Sequence, residues 1–185
     1  MFDDSDVKIF DDKGKANENY DEIAAIHEMT KQRNNGNSER AKKLGYHLAE
    51  IFVDEANLLK ELASEVGSLD YSDDIMYQIK VLIIFTAEYT VNHTFPSALL
   101  SNTAINAMHD TLKKKAAEFY DRLDDAAEYS FYYLAVRKGD NISKDIGNSF
   151  AMLCNHSDFS ELGQNIFEVV QKEIQKIIDS FKFVI

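Results

Sequence analysis

Cysteine and proline occur once each in the 185 residues, and glycine seven times. A lone Cys154 excludes an intramolecular disulfide and any zinc finger built on cysteines, and it fits a reducing interior. Basic residues are also scarce, 20 against 32 acidic ones, for a formal net charge of -12. A field of that sign repels phosphate backbones and anionic lipid, so neither a nucleic-acid partner nor a membrane surface is expected. The densest basic run, Lys113-Lys114-Lys115, is followed by Glu118, Asp121, Asp124 and Asp125 and reads as a solvated helix face. No apolar run reaches the ~20 residues of a membrane span. The opening MFDDSDVKIF lacks the basic leader and apolar core of a secretory signal, so a cytoplasmic protein is expected.

Catalytic patterns are missing as well. There is no Gly-x-Ser-x-Gly elbow, no glycine-rich phosphate loop, no His-Glu-x-x-His and no Glu-x-x-His. His27, His47, His93, His109 and His156 are scattered without ligand spacing, which favours surface or half-buried histidines over a metal site. Cys154 and His156 are two apart, where helical side chains diverge, so the thiol reads as an isolated, buried group. No cofactor is implied.

What the chain does have is Ile75 to Val91, IMYQIKVLIIFTAEYTV. Ile75, Met76, Ile79, Leu82, Ile83 and Val91 follow helical spacing, while Val81, Ile84, Phe85 and Ala87 carry hydrophobicity round the rest of the circumference. A helix apolar on every side must be surrounded. The expected fold is therefore all-α, a single-domain bundle of about six mostly antiparallel helices around this buried central one. Gly45 and Ala49 echo Gly147 and Ala151, small residues one turn apart that allow close helix approach. The alternative is a stack of helical hairpins of tetratricopeptide type, but the intermediate positions Ile79 and Lys113 do not continue the echo, which reads as chance.

In order along the chain, residues 1–16 read as an acidic, disordered tail and 17–185 as the helical domain. A first helix is expected from Asn19, with Ile23, Ile26 and Met29 on its apolar stripe, and a second from Asn37 or Ser38 to Gly67. Ser72 caps the central helix, and Pro96 sits in the first turn of the next. Thr103 to Val136 contains no glycine or proline and reads as one helix of about 30 residues, against a mean of ~11–12. Asp140 or Asn141 caps a short helix through Cys154, and Ser157 or Asp158 starts the last one. The hydrophobic Phe183-Val184-Ile185 either docks on the core or meets another subunit.

Two sets of residues are candidates for function. Glu88, Tyr89, Asn92 and His93 form a polar group at the exit of the most hydrophobic helix, where a carboxylate turned inward could bind a ligand or act as a base. Tyr129, Tyr132, Tyr133 and Phe183 offer large amphipathic rings suited to a partner. The leading expectation is a non-enzymatic cytoplasmic protein of interaction or regulation that self-associates or binds a protein partner. The alternative is a small-molecule-binding protein or enzyme with a pocket around Glu88 and His93.

Overall fold

The computed structural model describes residues 13–124 and 127–184, with side chains from Ile23 onward except that of Asp124. Most of the expected tail, residues 1–12, lies outside the described residues. Among those described there are nine α-helices and no strand. They are α1 (Lys13–Asn34), α2 (Asn37–Val53), α3 (Glu55–Val66), α4 (Asp73–Thr94), α5 (Ala98–Lys115), α6 (Ala117–Asp124), α7 (Glu128–Lys138), α8 (Ile142–Leu153) and α9 (Ser160–Ser180), the last preceded by a 3₁₀ turn, Ser157–Phe159. None of them is long and apolar enough to cross a membrane.

Burial is most complete on α4. Every residue from Val81 to Glu88 is buried, a run longer than two helical turns, so this part of the helix has no exposed face. The cover comes from α5, α7, α8 and α9. Each large apolar side chain enclosed in this way contributes roughly 1.5–3 kcal/mol.

Nine helices replace the expected six because two long ones break, one into two and the other into three; α1 also reaches back to Lys13, ahead of Asn19. The expected helix from Asn37 to Gly67 is interrupted at Asp54, which leaves helical geometry (ψ 61°). The break frees α3 from the direction of α2 so that it meets α9, and the Lys80–Glu55 ion pair (2.6 Å) ties its first turn to α4. The expected helix from Thr103 to Val136 breaks at Ala116 (φ -134°, ψ 49°) and again between α6 and α7. A straight helix of that length would outrun α4 and leave part of its apolar stripe bare. Folded back as α6, Phe119 meets Phe52 and Tyr77 at ring-centroid distances of 5.0 and 5.8 Å. Ser101-Asn102-Thr103 stays inside α5, while Pro96 stands before the helix, which starts after Ser97. Phe95, held extended ahead of the proline, ends α4.

The small residues pack helices at close range. A methyl group on Gly45 in α2 would overlap the carbonyl oxygen of Ala104 in α5 and stand 2.9 Å from the Ala107 Cβ. Gly147 in α8 lies against the Ser160 carbonyl at the start of α9, and Gly163 in α9 faces the Phe150 ring of α8 in return. Two of the most extensive interfaces, α2 with α5 and α4 with α9, join helices far apart in the chain. A stack of hairpins makes its contacts between neighbouring repeats.

The C-terminal segment docks on the core. Phe183 packs edge-on against the buried Phe95 (4.5 Å), and the buried Asn37 side chain bonds both backbone groups of Val184, donating to its oxygen (2.6 Å) and accepting from its nitrogen (2.9 Å).

Alanine ordinarily favours a helix over glycine by about 1 kcal/mol. Here the overlap is with backbone, which no rotamer change relieves. Gly45→Ala is expected to lower stability by about 1–3 kcal/mol in urea unfolding, and an unchanged midpoint would contradict the close α2–α5 approach.

Candidate functional site

Glu88 lies inside the protein, but its carboxylate turns away from His93. Its Oε1 is 2.8 Å from Nε2 of His109 on α5 and accepts a 2.8 Å hydrogen bond from the Tyr129 hydroxyl of α7. A single oxygen thus links three helices. With the proton on Nε2, His109 donates to Glu88, and its buried Nδ1, which has no partner among the described residues, is left as an acceptor. Asn106, Asp110 and Tyr120 line a shallow recess beside His109.

The other members of the expected polar group go elsewhere. His93 and Asn92 are exposed; the His93 ring lies tilted against that of Tyr89, with centroids 3.9 Å apart, and its Nδ1 meets the Tyr89 carbonyl at 2.7 Å. Tyr89 is half-buried against Phe85 and Phe167. Lys80, two turns before Glu88, pairs with Glu55.

The aromatic set is gathered by Phe85 of α4, whose ring meets those of Tyr129, Tyr132 and Tyr133 at 5.7, 5.0 and 5.4 Å. Three consecutive side chains cannot share one face of a helix. Tyr132 points inward and is fully buried, whereas Phe131 and Tyr133 remain 38% and 50% exposed. Burial drives the Tyr129 hydroxyl well above its ordinary pKa, and the Glu88 carboxylate beside it adds to the effect. Burial also raises Tyr132 well above its ordinary pKa, and its hydroxyl has no hydrogen-bond partner among the described residues. Burial also lifts the half-buried Cys154 thiol to about 11, far from the range of a reactive thiolate.

A groove of about 710 Å³ lies elsewhere, between α2, α3 and α9. Its floor is apolar, formed by Ile83, Ile84 and Ala87 of α4 with Met108 of α5, and its walls carry Leu58 and Leu62 from α3 and Ile177 from α9. The mouth is acidic: Glu50, Asp54, Glu61, Glu65 and Glu173 line it and are all exposed. Among the described residues, no three His, Cys, Asp or Glu side chains gather in a way that could hold a metal.

No protein-family model matches the chain, and neither a curated protein nor a solved structure gives a significant match. Function must therefore be argued from the geometry.

Sequence reasoning reached Glu88 but missed its partners, because His109 and Tyr129 are 21 and 41 residues away and no local pattern joins them. It missed the groove for the same reason. The acidic residues of α3 were visible, but not the wall that α9 sets opposite them.

Tyr129 and Tyr132 make opposite predictions at neutral pH. Tyr129→Phe removes a bond to a carboxylate and should cost about 1.5–3 kcal/mol, whereas Tyr132→Phe removes an unpartnered hydroxyl and should be neutral or stabilising. At alkaline pH both phenols act alike. The folded protein keeps their protons while the unfolded chain releases them near pH 10, so their contribution is complete below pH 10 and lost above it. Each can steepen the fall by up to about 1.4 kcal/mol per pH unit. Urea unfolding at pH 8 and 11 should show a shallower loss in either variant than in the wild type; equal losses would refute the assignment.

Proposed function

We propose that this is a non-enzymatic cytoplasmic interaction protein that engages a protein partner through the groove between α2, α3 and α9. In this reading the chain is one domain of mostly antiparallel helices packed round α4, with the uncovered part of that packing serving as the binding surface. One observation carries it: an apolar-floored cavity of about 710 Å³. Cavities of ~300–1,000 Å³ with apolar linings are where proteins hold ligands and the anchoring side chains of partners. The groove is favoured over a pocket at Glu88 and His93 because the Glu88 oxygen is already engaged by His109 and Tyr129.

A neutral apolar fluorophore tests whether the groove is open to a ligand. N-phenyl-1-naphthylamine is expected to bind the wild-type protein one to one. Ile177→Glu, at a half-buried position on the wall, should weaken that binding at least about tenfold while the helical circular dichroism is kept. A protein that leaves the dye in water would remove this reading.

Self-association belongs to the same proposal and has separate support. On α1, Ile23, Ile26 and Met29 are each more than half exposed along one stripe. An apolar stripe on a helix that covers little of its own core is a surface for another copy. Sedimentation velocity should show a concentration-dependent dimer that Ile26→Glu abolishes; a wild-type monomer at every concentration would sink this part.

A further inference from the structure

The groove has a charge pattern that its apolar floor does not require. Two of the five carboxylates at its mouth are offset by cations on neighbouring surfaces, Glu50 by Lys115 and Glu173 by Lys176. The other three, Asp54, Glu61 and Glu65, have no ion-pair partner among the described residues; the Glu61 carboxylate accepts a 3.1 Å bond from the Asn57 amide. They stand seven and four residues apart. Glu61 and Glu65 are one turn apart on one side of α3 and Asp54 stands immediately before its first residue, so the three are spread over about 16 Å along the mouth of the groove. Leu58 and Leu62 turn into the cavity beside these carboxylates.

We infer that the occupant of this groove is a basic amphipathic helix from a partner protein, its apolar stripe seated between the half-buried Leu58 and Ile177 and its lysines or arginines lying along Asp54, Glu61 and Glu65. The inference rests on the groove being the binding surface and adds what binds there. Charge complementarity selects the partner's sign: a row of unbalanced carboxylates beside an apolar floor repels anions and leaves a neutral apolar helix with nothing to offset the row. The length of the row selects a helix over a small molecule. One ammonium headgroup meets one carboxylate, whereas residues three, four or seven apart on a docked helix repeat over the same 16 Å as the row. The net charge of -12 adds long-range attraction for the same partner.

The test uses the full chain and two synthetic 16-residue helical peptides with the same leucine stripe, one flanked by lysines and the other by glutamines. At low salt the lysine peptide is expected to bind at least about tenfold tighter than the glutamine peptide, with the gap closing at 0.5 M salt, where the screening length falls to a few ångströms. The triple substitution Asp54→Asn, Glu61→Gln, Glu65→Gln should remove that preference while the helical circular dichroism is kept. These side chains are exposed, and Asp54 makes no capping bond to α3 that the change would break. Ile177→Glu should weaken both peptides. Equal binding of the two peptides, or a lysine preference that survives the triple substitution, overturns the inference. Dye binding without binding of either peptide also overturns it, in favour of a small apolar ligand, and leaves the groove as a site. A groove filled by a second copy, seen as a dimer that Ile177→Glu dissolves, overturns it as well. Failure of the dye itself would remove the groove reading from which the inference starts.

Discussion

A helix that is apolar round its whole circumference cannot face water anywhere, and α4 imposes that condition on the other helices. Between Val81 and Glu88 no position reaches the surface, so helices distant in the chain must supply the cover. The same enclosure dictates how polar groups behave inside. Thr86 and Thr90 return their hydroxyls to carbonyls one turn back in their own helix, each at 2.7 Å. Glu88 has no such option, since a carboxylate only accepts, and it is met by donors from α5 and α7. A buried carboxylate without partners would cost several kcal/mol, so His109 and Tyr129 are part of the condition that lets α4 be buried at all.

Tight and loose helix contacts divide the molecule into a closed part and an open one. Glycine lets α2 approach α5, and α8 approach α9, until backbone meets side chain or backbone with no room for a methyl group. No glycine brings α3 and α9 together in this way, and Leu58, Leu62 and Ile177 line the space between them. The groove is the gap that results. Its floor is the buried Ile83, Ile84 and Ala87 of α4, and its acidic mouth follows α3 from the break at Asp54 onward.

Local sequence was a good guide to where helices end. Gly67, where the second helix was expected to stop, takes a positive φ (92°) at the end of α3, and Asn141 caps α8 by accepting from the Lys144 nitrogen. It was a poor guide to where helices break without such a signal. Neither Asp54 nor Ala116 is an unusual residue for a helix interior, and each yields because the side chains beyond it find better packing in a new direction: Phe119 on Phe52 and Tyr77, and α3 on α9.

The sequence by itself determined that the chain is helical, which stretch must be buried, and that small residues mark close approach, because a helix and its faces depend on spacings of three and four residues. Only the tertiary structure decided that Glu88 meets His109 rather than His93, that Tyr132 turns inward while Tyr133 stays half-exposed, and that α3 and α9 leave a groove between them. Those outcomes join residues tens of positions apart, and which face covers which is settled by the packing of whole helices against α4, a competition that no local pattern records.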